Sequence, residues 1–220
     1  MIQMPDFEKA WDYENGFYLT CDLTRISKFI AHYELFKRVQ DLPGAIVECG
    51  VFKGASLARF AMFRSLFGNP YGKKIVGFDI FGRFPETKYQ DDIAVRKKFV
   101  DDAGAESISK EQLETVLKKK NLFSHVELVE GDITRTVPEY VLRHPELKIS
   151  LLNLDTDIYE PACTILEQLY PRIVPGGILI LDDYGTFPGE TKAADDFFKD
   201  KKVKIQKFPY AMTPCFIQKE

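Results

Sequence analysis

The fold is decided by the run Ile149-Ser-Leu-Leu-Asn-Leu-Asp155 and by its counterpart Gly177-Ile-Leu-Ile-Leu-Asp-Asp183. Both runs are short and almost continuously apolar, both end in aspartate, and a helical pattern over residues 160–171 separates them. Strands buried on both faces of a parallel sheet have this character, because helices cover each face. Two parallel neighbours joined by a crossover helix bring their carboxyl ends to the same edge of the sheet.

Three earlier runs extend this pattern towards the amino terminus, at residues 45–51, 74–81 and 126–133. Helical spacing lies between or after the runs, for example at Phe60, Phe63 and Phe67 and over residues 110–121 and 190–200. Near the end of the chain, residues 202–208 alternate, a turn follows, and residues 215–218 are extended, which predicts an antiparallel pair at the sheet edge. The sequence therefore predicts an α/β fold: a doubly wound, mostly parallel sheet with an antiparallel C-terminal strand.

Two segments lie outside this alternation. Residues 1–43 contain no strand pattern but a clear helix at 22–39, so we interpret them as an N-terminal helical extension or lid in front of a main domain at 44–220. Residues 82–109 form a polar insertion after the second strand, which predicts a functional loop or a partly disordered one.

Composition excludes several classes of partner. The chain has 220 residues, of which 45% are hydrophobic and 29% charged, and its formal net charge is −3, so no basic surface for nucleic acid is expected. No apolar run approaches the roughly 20 residues needed to cross a bilayer, so no membrane contact is expected. The four cysteines are scattered without paired spacing, which favours a reducing cytoplasm.

The loop after the first strand is rich in glycine and begins with an acid. It reads Glu48-Cys-Gly-Val-Phe-Lys-Gly-Ala-Ser56, and its two glycines allow a tight turn that a ligand can approach closely. The Gly-x-Gly-x-x-Gly pattern of a pyrophosphate site is missing, which disfavours an NAD-linked enzyme. The carboxylate of Glu48 favours a cationic ligand such as an ammonium or a sulfonium. A plain strand-to-helix turn explains the same residues equally well.

Acids also end the second and third strands. A carboxylate at Asp79 can accept hydrogen bonds from both hydroxyls of a ribose. Asp132 can accept from an exocyclic amine such as that of adenine, and it can equally cap a helix that starts near Thr134. The residues alone leave both roles of Asp132 open.

The densest group of acids ends the fourth and fifth strands, at Asp155, Asp157, Asp182 and Asp183. Four carboxylates in one place repel one another, and a bound cation relieves that repulsion. Oxygen ligands without histidine or cysteine select a hard ion, first of all Mg²⁺. The alternative is that one acid caps each following helix and the others are solvated. We favour the metal.

Four stretches of this chain resemble one known family: residues 47–54, 77–85, 155–160 and 175–184. The sequence resembles the class I S-adenosylmethionine (SAM)-dependent methyltransferases, and most of all the macrocin O-methyltransferase (TylF-like) family of sugar O-methyltransferases. The similarity covers roughly residues 40–200 and is carried mainly by Asp-x-Asp-x-Tyr followed by Gly-Gly-x-x-x-x-Asp-Asp-Tyr. It implies a Rossmann-like, seven-stranded methyltransferase domain over residues 44–220.

The resemblance also implies the ligand sites. The methionine part of SAM is expected beside the first loop, the ribose on the second acid and the adenine near the third, with these contacts: Glu48, Gly50, Phe52, Gly54, Ser56, Asp79 and Asp132. Asp155, Asp182 and Asp183 are expected to ligate Mg²⁺. Either Asp155 or Asp157 is then the base that takes the proton of the acceptor hydroxyl.

The expected protein is a cytoplasmic SAM- and Mg²⁺-dependent O-methyltransferase whose small-molecule acceptor is a sugar hydroxyl, on a nucleotide sugar or a glycosylated natural product. The first alternative is a metal-dependent O-methyltransferase of a catechol or phenol. Catechol methyltransferases carry a lysine three residues after the first metal aspartate, whereas this chain has Ile158 there. A non-enzymatic SAM-binding module is a further alternative, which the clustered acids disfavour. A homo-oligomer is left open.

Overall fold

The computed structural model describes residues 2–220, which form one seven-stranded sheet with helices on both faces. The strands are β1 (Ala45–Cys49), β2 (Ile75–Asp79), β3 (Val126–Glu130), β4 (Ile149–Leu154), β5 (Ile173–Leu181), β6 (Gln206–Lys207) and β7 (Cys215–Gln218). The helices are α1 (Ala10–Thr20), α2 (Leu23–Val39), α3 (Ala55–Phe67), α4 (Gln90–Ala103), α5 (Lys110–Lys119), α6 (Ile133–Arg143), α7 (Tyr159–Leu169) and α8 (Pro188–Phe198). Two short 3₁₀ turns lie at Phe7–Lys9 and Tyr170–Arg172.

The sheet is doubly wound, as the sequence predicts. The strand order is β3-β2-β1-β4-β5-β7-β6, in which β1 to β5 are parallel and β7 pairs antiparallel with β5. The chain moves outward from β1 in one direction and from β4 in the other, so the winding reverses between these two neighbours. Ligands of such sheets bind in the crevice at the carboxyl ends beside this reversal.

Successive residues of each central strand enter different cores. Leu179 and Leu181 of β5 pack with α6, α7 and α8, whereas Ile178 and Ile180 pack with α2, α3 and α5. All four side chains are fully buried. This alternation follows from the two-residue period of a strand, and it also determines which face each residue beyond the strand will point to.

The insertion at 82–109 is a loop only at its two ends, and the prediction of a loop is wrong for its central part, whereas a functional role is not contradicted. It contains α4, a helix of 14 residues. The carboxylate of Asp92 in α4 accepts hydrogen bonds from the backbone N–H of Tyr159 (2.9 Å) and of Gly189 (2.7 Å), the first residue of α7 and the second of α8. Because helix N-termini have unpaired N–H groups, this buried acid attaches α4 to both helices.

The ends of the sheet differ in detail from the sequence pattern. β5 begins at Ile173, four residues before the run that predicts it, and its register against β4 shifts between Ile149 and Leu151. The alternating segment 202–208 yields only the two-residue strand β6. A short outer strand limits the unpaired edge that the sheet presents.

The amino-terminal segment is helical, as expected. α2 buries five residues, including Leu35 and Phe36, against the core, whereas α1 buries none. The backbone carbonyl of Ile2 accepts a hydrogen bond from Gln112 of α5 (2.8 Å), which anchors the start of the described chain. Within residues 2–220, no helix combines the length and the apolarity that crossing a membrane requires.

Candidate active site

A cavity of about 760 Å³ opens at the carboxyl ends of the strands. Residues after β1, β2, β3, β4 and β5 line it, and residues of α2 and α3 close one side. Its volume is in the range of small-molecule sites. The loops that carry the predicted site residues therefore meet around one space.

The glycine loop after β1 is shaped by the close approach of β4. Gly50 has φ +91°, and a Cβ on it would lie 1.7 Å from the backbone oxygen of Asp155, so only glycine fits. Gly54 has φ +83° and starts α3. Phe52 also has a positive φ (49°), which is uncommon for a residue with a side chain. The two glycines thus let the backbone of the loop approach the cavity closely, beside the ring of Phe52, which also lines it.

Glu48 lies beneath this loop and does not line the cavity. It is fully buried, and its Oε1 accepts a hydrogen bond from Ser56 Oγ (2.5 Å). Its other oxygen, Oε2, has no protein partner. Burial raises the pKa of Glu48 to about 8. An acid with a spare acceptor directly below the loop suits a cationic group bound above it.

Both carboxylate oxygens of Asp79 accept hydrogen bonds from other residues of the chain. Oδ2 accepts from the backbone N–H of Val51 (2.8 Å) and Phe52 (3.0 Å), and Oδ1 from Phe81 N–H (2.6 Å) and Ser107 Oγ (3.2 Å). The carboxylate lines the cavity at the end of β2. These hydrogen bonds hold the glycine loop against the end of β2. That Asp79 also binds the ribose of SAM remains a prediction.

Asp132 caps a helix, which is one of the two roles that the sequence left open. Its Oδ1 accepts from Thr134 N (2.9 Å) and Thr134 Oγ1 (2.7 Å) at the start of α6. The residue also lines the cavity. Proximity to adenine therefore remains a prediction beside the observed cap.

The four aspartates after β4 and β5 do lie together, but not as one group. Ligand oxygens of Asp155, Asp157 and Asp183 lie within 4.8 Å of one another and could hold a metal ion. Burial and the neighbouring acids raise the pKa of all three, and that of Asp157 to about 8. Such mutual repulsion is the situation that a bound cation relieves.

Asp182 points to the other face. Its carboxylate contacts Lys28 Nζ of α2, which is also 3.7 Å from Asp155, and lies 3.6 Å from His32 Nε2. Burial alone would raise the pKa of Asp182, but the lysine ammonium brings it below its usual range. Of the three predicted metal ligands, the structure thus groups Asp155 and Asp183 with Asp157, and places Asp182 in an ion pair.

Comparison with known proteins identifies the family of this chain. A family model described as macrocin O-methyltransferase (TylF) matches residues 23–213. The chain belongs to the TylF family. The match includes α2 and reaches the turn before β7, so it covers every strand end that lines the cavity.

Two O-methyltransferases from Streptomyces are similar to this chain over part of their length. The 8-demethyl-8-(2,3-dimethoxy-alpha-L-rhamnosyl)-tetracenomycin-C 4'-O-methyltransferase of Streptomyces olivaceus is 28% identical over 145 residues, which cover 65% of this chain and 54% of that protein. The demethyldecarbamoylnovobiocin O-methyltransferase of Streptomyces niveus is 26% identical over 160 residues, covering 71% and 59%. The chain thus spans less than two thirds of the length of either relative.

Solved structures share the fold. The calicheamicin methyltransferase CalS11 superposes with a TM-score of 0.78 at 26% identity, over 97% of this chain and 85% of that one. An apo structure of CalS11, described as a TDP-rhamnose 3'-O-methyltransferase, gives 0.69 at 27% identity, over 97% and 86%. The O-methyltransferase NovP gives 0.76 at 20% identity, over 88% and 80%, which supports the fold alone.

Sequence reasoning missed three basic residues of this TylF-family site. Lys28 and His32 stand one turn apart on α2, and Arg59 of α3 contacts His32 Nδ1 through Nη1 (3.0 Å). His32 is fully buried and stacks on Phe60, and burial lowers its pKa to about 4. The available signal was weak: Lys28 and His32 are polar residues four apart on a face of α2 that otherwise packs inward.

Proposed function

We propose that this chain is a SAM-dependent O-methyltransferase that acts on a hydroxyl of a sugar and uses a divalent cation. One observation carries the proposal: the glycine loop after β1 and the acids after β4 and β5 line the same cavity. The family, and relatives named for methylating a rhamnosyl compound, a novobiocin precursor and TDP-rhamnose, support it. A nucleotide sugar or a glycosylated natural product is therefore the proposed acceptor.

The residues fit SAM. The orphaned oxygen of Glu48 suits the charge of the methionine end, and Gly50 leaves room where a Cβ would collide with β4. The proposed contacts are the seven predicted from the sequence: Glu48, Gly50, Phe52, Gly54, Ser56, Asp79 and Asp132. When bound, SAM supplies an electrophilic methyl group on a sulfonium.

The residues also fit a hard divalent cation, because three half-buried carboxylates converge without a histidine or cysteine among them. Asp155 and Asp183 are the proposed ligands, with Asp157 beside them, and Asp182 joins when Lys28 releases it. When bound, the cation lowers the pKa of the acceptor hydroxyl.

The chain itself then moves one proton and excludes water. Asp155 or Asp157 would accept the proton of the acceptor hydroxyl as the acceptor oxygen bonds the methyl carbon and the S–CH₃ bond breaks, which leaves S-adenosylhomocysteine. Phe99 of α4 lies centrally in an aromatic wall, with ring centroids 5.5 Å from Phe52, 5.6 Å from Phe84 and 6.0 Å from Phe187. These rings line the cavity and shield the reacting groups from solvent.

The test is methyl transfer itself. The protein is incubated with deuterium-labelled SAM, MgCl₂ and either TDP-rhamnose, a panel of rhamnosylated compounds or a panel of catechols and phenols, and products are identified by mass spectrometry. We expect labelled methyl on a sugar hydroxyl, lost in both Asp155→Asn and Asp157→Asn and kept in the exposed control Asp200→Asn. Transfer only to phenols would favour the alternative acceptor class, and SAM binding without transfer to any acceptor would favour a binding module.

A further inference from the structure

Arg59 is a basic residue of the cavity to which the proposed chemistry assigns no work. It lies in the first half of α3, three residues after Ser56, and lines the cavity together with Ser56 and Ala55. Residues three and four apart share one face of a helix, so the guanidinium stands one turn beyond the glycine loop on the side that faces the ligand space.

The guanidinium is largely buried, and the acids nearest to it lie beyond ion-pair distance. Within residues 2–220, no carboxylate lies within ion-pair distance of Arg59; its contacts are His32 Nδ1 and the ring of Phe29, 5.6 Å from the guanidinium carbon. Burial lowers its pKa. A guanidinium has five N–H donors, so most of the donors of Arg59 remain for a ligand.

Neither of the two nearest acids contacts Arg59. Asp182 contacts Lys28, and Glu48 accepts from Ser56 with one oxygen while its other oxygen has no protein partner. Arg59 therefore offers a desolvated positive charge, and the match to such a group is a planar anion that accepts two parallel hydrogen bonds.

We propose that Arg59 binds the α-carboxylate of the methionine part of SAM. The assignment rests on the proposed function. Glu48 accepts from Ser56 and keeps one free acceptor oxygen, and Arg59, three residues after Ser56, keeps free N–H donors. This acceptor and these donors are complementary to the ammonium and the carboxylate of an amino acid held over the loop. A phosphate of a nucleotide-sugar acceptor offers similar oxygens, but the place of Arg59 on the helix that the glycine loop starts favours the cofactor.

Calorimetry with SAM and decarboxylated SAM tests this assignment, because the two ligands differ only in the carboxylate. For the wild-type protein we expect decarboxylated SAM to bind about 10- to 100-fold more weakly, the size of a charge-assisted pair. Arg59→Met should weaken SAM by a similar factor and leave decarboxylated SAM nearly unchanged. If Arg59→Met does not fold, Arg59→Gln replaces it in the same measurement, because the glutamine amide keeps a donor for His32. Arg143→Met, at an exposed arginine in the last turn of α6, is the matched control and should bind both ligands normally.

Each contrary result has its own meaning. Equal weakening of both ligands would show that Arg59 only supports the site, and unchanged SAM affinity with a weakened nucleotide sugar would place Arg59 on the acceptor. Either overturns the assignment and leaves the proposed function standing. Failure of the wild-type protein to bind either ligand would overturn the proposed function and the assignment together.

Discussion

At the scale of single residues, adjacent aspartates have different surroundings because a strand alternates. Asp182 continues the face of Ile180 and contacts Lys28 of α2. Asp183 continues the face of Leu181, and its backbone N–H donates a hydrogen bond to Glu190 of α8 (2.9 Å). Lys28 neutralises Asp182, whereas Asp155, Asp157 and Asp183 form the group that could bind a cation. Lys28 thereby becomes a competitor for the metal that we propose.

The metal prediction follows from this competition. EDTA should abolish methyl transfer and Mg²⁺ restore it, and Asp155→Asn should lower Mn²⁺ affinity about 10-fold or more and kcat about 100-fold or more, because a ligand charge or the base is lost. Lys28→Met should instead tighten Mn²⁺ binding, because it frees Asp182. Titration calorimetry without SAM measures both affinities. Weaker metal binding in Lys28→Met would contradict the competition, and full activity in EDTA would remove the metal from the mechanism.

A second residue-scale prediction concerns Asp79. A ribose contact alone predicts that Asp79→Ala weakens SAM and keeps the fold. The four observed hydrogen bonds predict a loss of stability as well. Because Asp79→Ala leaves the donors of the loop unpaired, the free energy of unfolding should fall by about 1–3 kcal/mol in addition to the loss of SAM affinity. Urea denaturation without ligand measures the first effect. Asp79→Asn, which retains an acceptor, should lose less stability, and unchanged stability in both variants would contradict a structural role.

At the scale of elements, two additions to the sheet differ in how firmly they are attached. α4 brings Phe99 to the cavity wall and is tied to α7 and α8 through Asp92, whereas α1 buries no side chain and exposes Trp11 (76% of its surface) and Leu19 (84%). Exposed apolar side chains grouped on one helix are typical of an interaction surface. Whether residues 1–43 act as a lid stays a prediction.

Hydrogen exchange tests whether these additions close over the cavity. We expect exchange in residues 2–21 and 82–109 to slow when SAM and acceptor are both bound, because ligand contacts close these segments over the cavity. The buried helix α7 provides the internal control, since its exchange is already protected by the core. Exchange that is unchanged in both segments at saturating ligand would show that they are peripheral.

At the scale of the whole molecule, the parallel order of five strands unites groups that are distant in the chain. Each strand ends at the same edge, so the glycine loop, Asp79, Asp132 and the two acidic pairs share one cavity. A ligand that fills this cavity would contact the ends of most central strands, and its binding should stabilise the complete fold.

Thermal unfolding measures that coupling. S-adenosylhomocysteine at about 100 times its dissociation constant should raise the free energy of unfolding by about 2.7 kcal/mol, because it binds only the folded state. NAD should produce no comparable increase, because the loop has an acid below it and lacks the third glycine of a pyrophosphate site. Stabilisation by NAD and none by S-adenosylhomocysteine would contradict the assigned cofactor.

The sequence by itself determined the sheet and the edge at which the acids gather. Apolar runs predict buried strands, and β1 to β4 begin within one residue of the predicted runs. An acid directly after such a run lies at the carboxyl end of its strand because it is the next residue in the chain. The family was likewise readable, since its motifs are short and contiguous.

Only the tertiary structure decided how these groups are paired. Lys28 reaches Asp182, Arg59 reaches His32, and Asp92 reaches the ends of α7 and α8, each across a large sequence separation. These contacts depend on how α2, α3 and α4 pack on the sheet, and packing is set by the complementary shapes of whole faces, not by the period of one segment. The partition of four aspartates into an ion pair and a cluster of three was therefore beyond the sequence pattern.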